Sequence, residues 1–73
     1  AMLIPLDKIK PAFVFEFKVS KTIKGLTTKA DEALAQIKEK KYDAGLKEKG
    51  ISKVYRIGIA FKGKNVKVKY EIA

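Results

Sequence analysis

The fold is decided by residues 13–19, which read Phe13-Val14-Phe15-Glu16-Phe17-Lys18-Val19. Large apolar residues occupy every second position, and a period of two is the signature of a β-strand. The same period places Glu16 and Lys18 on one face, about 6.6–7 Å apart along the strand. A carboxylate and an ammonium are costly to bury in so apolar a strand unless they are paired or used. Glu16 and Lys18 are therefore candidates for chemistry, and the alternative is an ion pair on a solvent-facing strand.

The composition excludes several kinds of site. The 73 residues suit one small domain and include no cysteine and no histidine. Disulfides, thiolate metal sites and imidazole catalysis are therefore ruled out. No apolar run approaches the ~20 residues that a bilayer span needs, and no secretory signal is visible. These features favour a cytoplasmic protein without a membrane partner.

The charge balance is strongly basic. Seventeen Lys and Arg residues against eight Asp and Glu residues give a net charge of +9, which suits a polyanion partner such as nucleic acid. Arg56 is the only arginine, although specific phosphate and base recognition favours arginine. A lysine-rich, solubilising surface therefore remains the alternative. The lysines of residues 62–69 would either follow a nucleic-acid backbone or protect an edge strand from pairing.

The remaining pattern predicts two long strands and a hairpin partner around a helix. A helix between two strands permits a parallel crossover, so the predicted fold class is α/β with a small mixed sheet of three to four strands. Asp31 and Glu32 are placed in the first helical turn and Gly50 at the helical C-terminus. The predicted elements are a partial strand at 3–6, a turn at 7–11, a strand at 13–19, a loop at 20–27, a helix from Thr27 or Thr28 that breaks near 40–42, a helical segment to Lys49, a strand at 54–61, a hairpin loop at 62–65 and an edge strand at 66–72.

In this order the motifs resemble the PD-(D/E)XK nuclease superfamily. The resemblance rests on the strand at 13–19, the helix at 31–42 with its Gln36, and the glycine-containing strand at 54–61. The sequence is similar in particular to the nuclease-like domain at the C-terminus of bacterial AAA-ATPase-like proteins of unknown function. The resemblance implies a restriction-endonuclease-like core, one partial domain over residues 1–73, and an AAA-ATPase-like partner domain in the full-length protein.

The resemblance also implies Mg²⁺-dependent hydrolysis of DNA phosphodiesters. Glu16 would be a metal ligand, the Phe17 carbonyl a further ligand and Lys18 the catalytic cation, with Gln36 facing the site from the helix. Mg²⁺ prefers carboxylate oxygens and waters, and a bound metal makes its water more acidic. A nearby lysine stabilises the charge that develops on the phosphate.

The first aspartate of the family pattern is missing. It is expected on the preceding hairpin strand, where a turn near 8–10 would put Leu3 opposite Glu16. Asp7 is the only acid upstream of Glu16 and is the alternative ligand, although it would lie in that turn, several residues out of register. The hypothesis follows that the chain is a fragment, incomplete at its N-terminus and inactive alone. The sheet edge left open would allow a homodimer.

Two other functions stay open from the sequence. The first is a non-catalytic module that binds nucleic acid or a partner through the same fold. The second is a basic α/β domain with no polyanion role. Individual residues have ordinary alternatives as well: Gln36 as a surface residue, Tyr42 as a packing residue, and Arg56 as either a structural or a phosphate-binding residue.

Overall fold

The computed structural model describes residues 2–7 and 9–73, apart from the side chain of Asp43. Within these residues the elements are β1 (Met2–Leu3), β2 (Ala12–Val19), α1 (Leu26–Lys40), α2 (Tyr42–Glu48), β3 (Val54–Lys62) and β4 (Asn65–Ile72). The sheet order is β1-β2-β3-β4; β2 and β3 are parallel, and the outer pairs are antiparallel. The predicted α/β fold with a mixed four-stranded sheet is confirmed. Lys8, in the predicted turn, lies outside the described residues.

The helix α1 covers one face of the sheet. Its buried residues recur at three- and four-residue spacing and form one apolar stripe: Leu26, Ala30, Ala33, Leu34 and Ile37. The stripe packs on the small and branched residues of the two central strands. Two buried clusters result, one of Ala12, Val14, Ile37, Leu46, Ile51 and Val54, the other of Leu26, Ala30 and Ala60.

The other face of the sheet is not covered by any element of the described residues. Strand alternation places twelve apolar or aromatic residues on it. The rings of Phe13 and Phe15 stack 6.3 Å apart, and those of Phe13 and Tyr55 stack 5.2 Å apart. We call this surface the uncovered face and define it by Phe13, Phe15, Phe17, Val19, Tyr55, Ile57, Ile59, Phe61, Val66, Val68, Tyr70 and Ile72.

The helix α1 begins earlier than predicted. Its first residue is Leu26 and its N-cap is Gly25, rather than Thr27 or Thr28. The helix starts at Leu26 because this residue is buried in a cluster with Ala60, and an apolar contact outweighs a local capping preference. The prediction that Asp31 and Glu32 lie in the first turn of the helix is therefore wrong.

The predicted break between the helices is confirmed at Lys41. This residue has φ 55° and ψ 36°, a left-handed conformation, between the end of α1 and the start of α2. An unbroken helix would have carried Lys41 into the apolar stripe, four residues after Ile37. The turn instead leaves it exposed. Gly50, with φ 94°, follows the cap of α2 and ends that helix as expected.

Two strand boundaries differ from the prediction. The strand β1 covers Met2–Leu3 rather than 3–6, and Pro5 beyond it has no N–H to donate to a ladder. The hairpin loop is shorter than 62–65, because Lys62 and Asn65 still pair. Gly63, with φ 56°, supplies the left-handed conformation that such a tight turn needs.

Candidate active site

Glu16 and Lys18 lie on the face of β2 that α1 covers. Glu16 stands opposite Gly58 in the ladder, and Lys18 stands opposite the buried Ala60. Both charged residues are half-buried, and the Glu16 side chain is 23% exposed. The structure therefore places both residues on the helix-covered face of the sheet, where each keeps part of its surface exposed. A solvent-facing strand does not describe their position.

The helix approaches Glu16 closely because Gly58 has no side chain. A Cβ atom at residue 58 would lie 2.5 Å from the carbonyl oxygen of Ala30 and 2.7 Å from the backbone nitrogen of Leu34. Real side chains do not tolerate such distances, so the backbone of α1 rests directly on β3. Since Gly58 neighbours Glu16 in the ladder, this contact also sets the distance between the helix and the carboxylate.

Lys40 is a site residue that the sequence analysis missed. Its Nζ lies 3.8 Å from Oε2 of Glu16 and 5.9 Å from the centroid of the Tyr42 ring. The half-buried Gln36 lies one helical turn before Lys40 on the same side of α1. This i, i+4 relation was the available signal. At 3.8 Å the charges attract each other without a hydrogen bond, so another cation can replace the ammonium.

Tyr42 packs against the larger buried cluster. This contact with the core supports the packing role that the sequence left open. The ring also gives Lys40 an aromatic surface near Glu16.

The Phe17 carbonyl points towards the edge of β2 that lies away from β3. The backbone N–H groups of Ala12 and Ser20 donate to carbonyls on the β3 side, so even-numbered residues of β2 face β3. Odd-numbered residues, including Phe17, direct their backbone groups to the β1 side. The β1 ladder ends at Val14. Among the described strands, none pairs with this edge beside Phe17.

The register of β1 corrects the predicted partner of Glu16. Leu3 pairs with Phe13, three residues away from Glu16, so it does not lie opposite the carboxylate. Asp7 is in the turn, where its Oδ1 accepts a hydrogen bond of 3.0 Å from the N–H of Ile9. Asp7 therefore stabilises the turn ahead of β2 and is not placed beside Glu16.

A second set of charges joins α1 to β4. Glu71 pairs with Lys38 at 2.7 Å and with Arg56 at 3.3 Å, and Lys69 pairs with Asp31 at 3.8 Å. The hydrogen bond from Lys38, with a smaller effect from Arg56, holds the pKa of Glu71 below its usual value of 4.5. Arg56 is thus engaged in a cross-strand pair, which supports its structural role.

The described residues supply part of a metal site. Glu16 and the Phe17 carbonyl are oxygen donors, but the described part of the chain holds no group of three acidic, histidine or cysteine side chains. Glu71 shares the face of Glu16 but lies two strands away, at about 9.6 Å or more. Mg²⁺ is commonly held by one or two carboxylates with substrate phosphate and waters. Among the described residues of this face, Glu16 is the carboxylate available for such a site, which substrate phosphate and waters would have to complete.

Comparison with known proteins identifies a family for the chain. A family model described as the PD-(D/E)XK nuclease superfamily matches residues 1–71. No curated protein and no solved structure matches the chain. In the part of the chain that the structure describes, neither helix has the length and apolar character needed to cross a membrane. The family match spans nearly all of the 73 residues, and the chain therefore belongs to the PD-(D/E)XK nuclease superfamily.

Proposed function

We propose that this chain is a nuclease-like domain that acts on DNA phosphodiesters in the cytoplasm. The observation that carries the proposal is the common position of Glu16 and Lys18 on the helix-covered face of β2. Gln36 and Lys40 flank that position from α1. Membership of the superfamily supports nuclease-like chemistry, and the net charge of +9 supports a polyanionic substrate.

Each residue has a role that its chemistry allows. Glu16 and the Phe17 carbonyl would hold Mg²⁺, which supplies an acidic water and positive charge at the phosphate when bound. Lys18 stabilises negative charge on the phosphate, and partial burial strengthens that interaction. Gln36 donates a hydrogen bond through its amide to the phosphate or to the attacking water. Lys40 neutralises Glu16 when no other cation is near.

The proposal includes a second carboxylate beyond the described residues. The antiparallel register of β1 supports this part of the proposal, since a strand continuing β1 along β2 would bring one residue opposite Glu16. Directly opposed residues have Cβ atoms about 4.5–5.5 Å apart, so two carboxylates there could share one cation. Without such a second carboxylate, cleavage is expected to be weak. The family resemblance supports an AAA-ATPase-like domain as the partner of a complete domain.

The first test locates the divalent cation. In ¹⁵N-labelled protein with a DNA duplex, Mn²⁺ should broaden the amide signals of Glu16, Phe17 and Lys18 before those of other residues. Glu16→Gln should remove this selectivity, whereas Glu48→Gln, at an exposed acid on α2, should keep it. Broadening that first affects other acidic residues would overturn the assignment of Glu16 as a ligand.

The second test measures cleavage and binding together. Nicking of plasmid DNA with Mg²⁺ or Mn²⁺ should disappear in Glu16→Ala and Lys18→Ala. It should persist in Lys24→Ala, which changes an exposed loop lysine. Salt-sensitive binding without any nicking would instead favour a non-catalytic nucleic-acid-binding module. The Lys40–Glu16 pair supports that second function, because it occupies the carboxylate with a lysine. Absence of binding at low salt would contradict both functions.

A further inference from the structure

The uncovered face is an apolar surface that the proposed function does not use. Six of its twelve residues are at least half exposed: Phe17 53%, Val19 67%, Val66 61%, Val68 50%, Tyr70 66% and Ile72 54%. A fully exposed large side chain offers about 150–250 Å². Six residues that are a little more than half exposed and six that are partly buried therefore expose together on the order of 900 Å². The largest apolar patch on a typical monomer is about 300–600 Å². A patch of this size indicates an interaction surface.

The charges of the strands lie on the opposite side of the sheet. Glu16 and Lys18 alternate with the phenylalanines of β2, and Lys67, Lys69 and Glu71 alternate with the apolar residues of β4. Alternation directs all of these charges to the side of α1. Two copies can therefore bring their uncovered faces together without opposing their strand lysines, even though each chain carries a net charge of +9.

We propose that the uncovered face is a homodimer interface in which two copies pack sheet against sheet. Packed sheets lie about 10 Å apart with their strands about 30° from parallel. The available area of about 900 Å² per copy is close to the ~800 Å² that each partner buries in a standard interface. A two-fold interface requires a patch that fits itself. The rings of Phe13, Phe15 and Phe17 stack in a row along β2, and this row would face its own copy across a two-fold axis.

This dimer differs from pairing through the open sheet edge. Edge pairing would add a strand beside β2 and leave the uncovered face in water. Face-to-face packing leaves the β2 edge, Glu16 and Lys18 free, because these lie on the side of α1. It also supplies apolar burial to a chain of 73 residues, a size at which only about 60% of the unfolded surface is buried.

Sedimentation equilibrium with charge-insertion variants tests the interface. The wild-type chain should have twice its sequence mass at micromolar concentration. Val68→Lys and Tyr70→Lys should each raise the dissociation constant at least tenfold while keeping the far-ultraviolet circular dichroism of the native fold. Ala35→Lys adds the same charge at an exposed position of α1 and should dimerise normally. A monomeric wild-type chain, or equal weakening by Ala35→Lys, would overturn the proposal.

A cysteine-protection experiment works even if the lysine variants fail to fold. The chain has no cysteine, so one introduced thiol reports on one place. Maleimide should label Val68→Cys at least fivefold more slowly as protein concentration rises through the dimerisation range, while labelling of Ala35→Cys should not change. A labelling rate of Val68→Cys that does not depend on protein concentration would exclude the face-to-face dimer. This result is also expected if two copies pair through the sheet edge instead.

Discussion

Gly58 faces Glu16 across the parallel ladder of β2 and β3, and the backbone of α1 rests on that glycine. The position of the carboxylate relative to the helix thus depends on the absence of a side chain in the neighbouring strand. Catalytic side chains generally need support within about 0.5 Å. By letting two backbones touch, Gly58 would provide such support for Glu16, the proposed metal ligand.

Substitution of Gly58 by alanine should destabilise the fold. The added Cβ would meet the Ala30 carbonyl and the Leu34 nitrogen, both backbone atoms. Overpacking of this kind costs about 1–3 kcal/mol, measurable by urea unfolding. Gly45→Ala is the matched control, since nothing lies within 4 Å of the added atom and the helix should gain about 0.5–1 kcal/mol. An unchanged unfolding midpoint for Gly58→Ala would contradict the close contact.

Replacing Lys18 by methionine should raise the stability of the fold. Lys18 is half-buried beside Ala60, and functional charges in such places commonly cost stability. We expect a gain of about 0.5–1 kcal/mol in the free energy of unfolding, together with loss of nicking. Lys24→Met, at an exposed loop position, should stay within about 0.5 kcal/mol of wild type. A clear loss of stability in Lys18→Met would point to a structural ion pair.

The ion pairs of Glu71 with Lys38 and Arg56 should make the stability of the fold depend on pH in the acid range. Because folding lowers the pKa of Glu71, the unfolded state binds more protons than the folded state between that lowered pKa and about pH 4.5. The stabilisation is therefore fully present above that value and is lost as the pH falls through the lowered pKa. Glu71→Gln should be less stable than wild type at pH 7, and thermal unfolding should show the difference narrowing at acid pH.

A double-mutant cycle separates this network from a general charge effect. Lys38→Met and Glu71→Gln should be non-additive at pH 7, because Lys38 provides the larger stabilisation of the carboxylate. About 1 M salt should reduce the coupling by screening the partly exposed charges. Additive effects of the two changes would show that the pair contributes nothing measurable.

Glycine at residue 41 should stabilise the protein. Lys41 holds a left-handed conformation at the junction of α1 and α2, which glycine adopts without the strain caused by a Cβ atom. Lys41→Gly should raise the free energy of unfolding by about 0.5–1 kcal/mol. Lys41→Ala removes the same charge and keeps the Cβ atom, so it should show no such gain. Equal melting temperatures for the two variants would contradict the conformational explanation.

The fold was accessible from the sequence because period-two strands flank one helical stripe. Strand alternation showed which residues of 13–19 and 66–72 share a face, but it carried no information on which face the helix would cover. Charge-bearing faces turned out to lie beside α1, where Lys38 and Glu71 pair. The early helix start escaped prediction because the burial of Leu26 against Ala60 is a long-range contact.

The candidate site was accessible in part. Glu16, Lys18 and Gln36 could be identified because the sequence contains a motif with recognisable spacing, and their roles remain proposals. Lys40 was not predicted, because its contact with Glu16 depends on how closely α1 approaches β2. The expected pairing of Leu3 with Glu16 was wrong because the β1 register depends on the length of the turn. Sequence periodicity does not determine that length.

Segregation of the rings from the lysines also gives each single molecule the character of an amphiphile. At an apolar boundary, such as a hydrophobic resin or an air–water surface, the favoured orientation has the sheet against the boundary and the helix towards the liquid. Glu16 and its neighbouring cations would then remain on the wetted side. A layer of adsorbed protein should accordingly keep its lysine-bearing side open to the solution.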